Sequence, residues 1–386
     1  MSPTPIFLVR ALLRSVLLLG LLGGCQTFPI SLFVPDETLA TLEHSEYVEK
    51  LDQDELETLL AQHFGLLAAT RSQDDKGVHR LDSMPESGPH RNEELNSAFH
   101  PATRGLRSGD LLLAKNSKPQ SLGQTLTFED FTYYSHMAIL AREGGRYYAY
   151  ESWPRLHLMA AADQFAERFR GGVQRVPFAD FLERYETIEV LRLSRDSFGA
   201  DIGERLSDAA KDSLQENIRY DPHHDPNDPA MSCSEYVSYL IEDKLGRSLT
   251  LRRRTVTQNP SMQSLLSSLG FRTDAYVVPE SYSELPDTET VALYSHQATH
   301  ASYLGKRYAY QALHEHFVSN SSIASYLGIH PLKLVKYRRN VKDYLRWAVA
   351  YSEAHAGEDP DSIRRDLRAM VELFFRRKGM KVHGRS

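Results

Sequence analysis

Apolar residues recur at helical spacing in "SCSEYVSYLIEDKLG", where Tyr236, Val237, Leu240, Ile241 and Leu245 share a stripe that ends at Gly246. A Pro- and Asp-rich loop, "RYDPHHDPNDPAM", precedes it and cannot be helical, so the helix starts at Cys233. The same period runs through Leu56, Leu59, Leu60, Phe64 and Leu67 in Asp36 to Thr70, through Ile202 to Ile218, and from Lys306 onward. A last helix, Ile363 to Lys378, follows the loop "HAGEDPDS". Elsewhere the pattern is that of strands. "LRSGDLLLAKN", Leu106 to Asn116, is a turn leading into a short buried run, and "TIEVLRL" is another strand. Between Gly171 and Ser194 the pattern predicts a loop, a short helix and that second strand. Thr70 to His100 is polar, broken by Gly and Pro, and reads as a linker or surface loop. These elements predict an α+β fold, an antiparallel sheet core with one central helix and helical additions at both ends.

One hairpin can be tested for register on paper. "FTYYSHMAILAREGGRYYAYESWP" carries strand residues on both sides of Glu143-Gly144-Gly145. With Glu143 and Gly144 as the turn, His136 lies opposite Glu151. With Gly144 and Gly145 the two become diagonal neighbours on one face. Either simple register brings a carboxylate within reach of the imidazole.

Compartment and cysteine usage change the picture more than composition does. The start, "MSPTPIFLVRALLRSVLLLGLLGGCQTF", has Arg10 and Arg14, no acid, and an apolar run from Val16 to Leu22, which is a secretory signal too short to span a membrane. Its end, "LLGGC", resembles the lipobox of bacterial lipoproteins. The resemblance implies cleavage after residue 24 and acylation of Cys25, hence a membrane anchor. Gln26, in place of the Asp associated with inner-membrane retention, points to the outer membrane facing the periplasm. The chain has two cysteines, so acylation leaves Cys233 as a lone thiol in an oxidising compartment. Serine would fill that space without the oxidation hazard, so reactivity is the better reason for it. The net charge of −6 becomes −8 once the two leader arginines are removed, and no basic patch calls for nucleic acid.

Ser232 and Glu235 form a capping-box pattern that places Cys233 at the first helical position, where free N–H groups and the helix dipole favour a thiolate. A reactive thiol needs a base, and the base an orienting group. His136 and Glu151 supply both, in the chain order His, Glu, Cys. The pieces "GDLLL", "SHMAIL", "YYAYE", "YDP", "CSEYV" and "VPESY" resemble the permuted papain-like cysteine hydrolases of the YiiX and YaeF kind, relatives of the NlpC-type cell-wall peptidases. This resemblance covers about residues 101–285 and implies a circularly permuted papain-like core. It implies Cys233 as nucleophile, His136 as base, Glu151 as orienting acid and Tyr220 as an aromatic lining the substrate site. Neither a cofactor nor a metal is required.

The resulting organisation is a signal peptide at 1–24, a tether with an amphipathic helix at 25–100, the hydrolase domain at 101–285 and a helical region at 286–386. The expected substrate is an envelope amide such as a peptidoglycan stem peptide. Relatives with this triad also include thiol acyltransferases and lipid acylhydrolases, and a lipoprotein that only scaffolds a partner is the non-enzymatic alternative. An apolar, deep groove at Cys233 would favour lipid, and an open polar cleft peptide. Three other patterns are set aside. His223 and His224 among aspartates are better read as a surface loop than as a metal site, and "HQATH" lacks the glutamate of a zincin. Ser322 to Asn340 resembles a helix-turn-helix, but an envelope protein meets no chromosomal DNA.

Overall fold

The computed structural model describes residues 78–80, 93–115, 125–154, 171–225, 228–260, 263, 266–267, 274–295, 300–318, 344–355 and 358–377. The leader, Cys25, the helix expected within Asp36 to Thr70 and the segment Ser322 to Asn340 lie outside them.

Nine strands are described: β1 Val78–Arg80, β2 Leu111–Lys115, β3 His136–Glu143, β4 Arg146–Trp153, β5 Gly172–Pro177, β6 Thr187–Leu193, β7 Arg253–Thr255, β8 Ala275–Val277 and β9 Thr288–Ser295. Six of them form the antiparallel sheet β9-β6-β2-β3-β4-β5, and β1 adds to its β9 edge in parallel. A two-stranded ribbon pairs β7 with β8. The helices that matter for the site are α1 Phe178–Glu183, α2 Ile202–Ser213, α3 Cys233–Tyr239, α4 His300–Val318 and α5 Pro360–Arg377.

Strand periodicity sorts the core into two sheets of contact. Leu111, Leu113, Met137 and Ile139 face α2, α3 and the C-terminal helices, while Leu112, Ala114, Ala138 and Leu140 face α1 and the turns before β2. Strand β2 is buried at every position, as an apolar run in the middle of a two-sided sheet must be.

The α+β reading with an antiparallel sheet therefore stands, with four corrections. Gly172–Pro177, expected as a loop, is an edge strand; only partly buried and ending in a proline, it lacks the apolar alternation of an inner strand. Val78–Arg80, expected within a linker, pairs with β9. The helix expected to reach Ile218 ends at Ser213, followed by turns and by Asn217 at φ 56°. The sheet also continues past residue 285. Strand β9 is hydrogen-bonded to β6, and Tyr303, Tyr310, Leu313, Tyr344 and Leu367 of the C-terminal helices are buried in the same cluster as β2 and β3. Among the described residues no helix is long and apolar enough to cross a membrane.

Candidate active site

The hairpin of β3 and β4 takes the Gly144-Gly145 turn, both glycines at positive φ, with Glu143 paired to Arg146 and Ile139 to Tyr150. Continuing that register sets His136 across from Trp153 and makes Glu151 its diagonal neighbour on the same face. The ring confirms the geometry: His136 Nε2 lies 2.7 Å from Glu151 Oε2, and Trp153 meets the imidazole edge-on at 5.1 Å.

The two strands then part. Pairing between β3 and β4 stops at Ile139–Tyr150, although β3 begins at His136 and β4 runs to Trp153. The start of α3 occupies this fork, packed on both strands, and Ser152 Oγ donates to Met231 O at 2.6 Å to hold the approaching loop. Alternate N–H groups of a strand point to opposite neighbours. Leu140 donates towards β2, to Asp110 O, so Met137, three residues earlier, points its N–H towards the place β4 has left. Cys233 fills that place, and the Met137 N–H donates to its sulfur. The capping box forms as expected: Ser232 N–H donates to Glu235 Oε2 at 2.8 Å and Glu235 N–H to Ser232 Oγ at 3.5 Å. It uses neither the Cys233 nor the Ser234 amide.

The side chains of His136 and Cys233 are also hydrogen-bonded to each other. With Nε2 held by Glu151, Nδ1 is the nitrogen that faces the sulfur. Burial alone would depress the imidazole, but the Cys233 charge and hydrogen bond, then Glu151, carry its pKa up to about 9. Burial would raise the thiol, and the charge and hydrogen bond of His136, with the Met137 amide, outweigh it and lower its pKa. This is the electrostatic signature of an imidazolium–thiolate pair.

Glu151 is fully buried, and burial works against its charge. His136, Arg184 and Gln174 reverse the balance and hold its carboxyl below the usual range. Arg184 Nη2 and Gln174 Nε2 each donate to Oε1 at 2.7 Å. Around His136, Tyr185 stacks on the imidazole with centroids 5.7 Å apart, and the Arg184 guanidinium lies 4.6 Å over Trp153. Tyr220 is half-buried, its N–H bonded to Gly171 O, and burial followed by the Cys233 charge pushes its phenol up. Tyr276 feels Tyr220 and then Cys233 in the same way, after burial, and stacks on His224 at 3.9 Å. Asp221 accepts the His223 and Asp225 N–H groups at 2.7 Å each, which folds the loop before α3. Among the described residues no three His, Cys, Asp or Glu side chains converge as a metal-holding group.

All four expected site residues of the hydrolase core, Cys233, His136, Glu151 and Tyr220, thus come together. Sequence reasoning missed Gln174, Arg184, Tyr185, Tyr276 and the Met137 amide. Gln174 pairs with Glu151 across β4 and β5, so recognising β5 would have found it. The Met137 amide carries no side-chain signal at all.

A thiol at the tip of a helix, wedged against a sheet-borne imidazole that a buried carboxylate orients, defines the papain-like class of cysteine amidases and peptidases. Residues 105–292 match the family described as permuted papain-like amidase enzymes, YaeF/YiiX, C92. The crystal structure of the metalloprotein yiiX from Escherichia coli O157:H7 is similar at 20% identity and a TM-score of 0.38, over 48% of this chain and 96% of that one. No curated protein matches the chain.

Proposed function

We propose that the chain is an envelope-anchored cysteine hydrolase in which Cys233 is the nucleophile, His136 the base and Glu151 the orienting acid, acting on an envelope amide such as a peptidoglycan stem peptide. The observation that carries this reading is the charged chain from sulfur to Nδ1, Nε2 and Glu151, with the thiol lowered and the imidazole raised. His136 holds the thiol proton while the thiolate attacks the amide carbonyl. The C–N bond then breaks, the imidazolium gives its proton to the leaving amine, and a thioester remains on Cys233. His136 next takes a proton from water, whose oxygen attacks the thioester and frees the acid and the thiol. The Cys233 and Ser234 amides, left unused by the capping box, are the proposed donors to the carbonyl oxygen as it becomes an oxyanion, and Tyr220 is the proposed substrate wall.

The test is iodoacetamide alkylation of Cys233 across pH, on soluble protein beginning after Cys25, beside His136→Ala. Reaction that persists well below pH 7 and disappears with His136 is expected. Titration of both proteins near the ordinary thiol value would sink the assignment.

One observation favours a second substrate class for the same triad, a lipid acyl group. Cys233 and His136 are only 6% and 5% exposed, and Tyr185, Tyr220 and Tyr276 stand within electrostatic reach of the sulfur, a drier setting than an open peptide cleft. Release of fatty acid from phospholipid vesicles, with no cleavage of purified stem peptides, would decide for it. Anchoring through Cys25 in the outer membrane, facing the periplasm, is a separate part of the proposal. Labelled palmitate is expected to enter the full chain and not Cys25→Ala.

A further inference from the structure

Helix α4 lies beyond the matched region, yet it reaches the backbone that leads into His136. Residues 128–135 come just before β3, and the Tyr133 and Tyr134 rings are buried. Their two N–H groups both donate to Glu280 Oε2, at 3.1 and 3.2 Å. The other oxygen of Glu280 takes Arg307 Nη2 from α4. Arg307 Nη1 donates to Tyr303 Oη at 3.3 Å, Tyr303 and Tyr134 share a hydrogen bond of 2.6 Å, and His314 Nε2 meets Phe128 O at 2.9 Å. Helix α4 therefore grips the segment that leads into β3, two residues short of His136, through a carboxylate whose side chain is 4% exposed.

We propose that the Arg307–Glu280 pair is a positioning device for His136 and the Met137 amide, an inference that rests on Cys233 and His136 being nucleophile and base. Glu280 satisfies two buried amides that have no ladder partner, and Arg307 holds its other oxygen in place. Without that cation the carboxylate loses the partner that fixes its orientation and can swing towards water, and its hold on the two amides weakens. The strand start can then shift, and it carries both the imidazole and the amide that meet the sulfur. Displacements of about 1 Å are enough to matter at a reacting centre. Arg307 touches neither the sulfur nor His136, so its effect is read through the state of the thiol.

The test compares iodoacetamide alkylation between pH 5 and 9, on soluble protein beginning after Cys25, for wild type, Arg307→Met, Arg307→Lys and Arg364→Ala. In Arg307→Met the acid limb is expected to move up by about one unit, seen as roughly tenfold slower alkylation below it. Arg307→Lys keeps the cation and is expected to recover most of the rate. Arg364→Ala removes an α5 guanidinium that lies over Tyr308 of α4, at 4.5 Å, and is expected to leave the limb in place. A wild-type limb in folded Arg307→Met overturns the proposal, as does an equal shift in the Arg364→Ala control. Should Arg307→Met not unfold cooperatively, Glu280→Gln takes its place: it keeps an acceptor for the amides, drops the ion pair, and is expected to shift the limb in the same direction. A wild-type limb there is equally fatal. A wild-type chain with no thiolate below pH 7 would instead sink the parent assignment and is recognised before any variant is compared.

Discussion

Glu151 shows what a single buried side chain asks of its surroundings. Its charge is kept by three donors, and two of them, Arg184 and Gln174, take the oxygen that His136 leaves open. Glu151→Gln is expected to lose about 1–3 kcal/mol in urea unfolding, because Arg184 and His136 keep their places and lose the anion between them. The same variant should move the acid limb of Cys233 alkylation upward. The thiol and imidazole also set how stability depends on pH. His136 is raised from its ordinary 6.5 to about 9, so its contribution is complete below 6.5 and fades as pH rises through 9. Cys233 is lowered from its ordinary 9.0, so its contribution is present above 9.0 and fades as pH falls through the folded value. Near 9 the unfolded thiol and the folded imidazolium release protons together, and the two effects cancel. In acid the unfolded imidazole is charged as well, and wherever the folded thiol is still ionised the unfolded chain holds one proton more than the folded pair. The stability difference between wild type and Cys233→Ala is therefore expected to shrink as acid is added, checked by unfolding midpoints across pH.

At the scale of elements, the hairpin and α3 were legible because each is specified locally. The sequence leaves two simple turns open, but both put His136 and Glu151 on one face, and the structure takes the Gly144-Gly145 turn. Ser232 and Glu235 likewise fix where α3 begins. Ser232→Ala is expected to cost about 1 kcal/mol, measured by urea unfolding. What could not be read depends on contacts between distant segments. Strand β5 is a strand because β4 offers it an edge, and its own residues show no alternation. Arg184 follows α1 by one position and looks like any exposed cation until the fold turns it onto Glu151. Close approach of α2 to the turn before β2 was equally silent. A Cβ on Gly203 would stand 2.4 Å from Ser108 O, against backbone that cannot swing aside. Gly203→Ala is accordingly expected to cost about 2–3 kcal/mol in the same measurement, with the alkylation profile of the folded fraction unchanged.

The molecule as a whole does not divide where its sequence patterning suggested. The C-terminal helices share the core cluster of β2 and β3, and β9 completes the sheet. A chain ending at Ser295 would strip Tyr133 and Tyr134 of the Tyr303 and Tyr310 rings packed on them, and is expected to bind hydrophobic dye and to unfold without a cooperative transition. The fork between β3 and β4 has a consequence for the order in which this molecule is made. The hairpin zips from its turn on local contacts alone and can bring His136 to Glu151 early, whereas the sulfur comes from a helix much later in the chain. Its wedge must still enter an opening between strands already paired. During refolding the optical signals of sheet formation should therefore run ahead of the acid-shifted alkylation, so that through most of folding the sulfur behaves as an ordinary thiol and its pairing with His136 comes last.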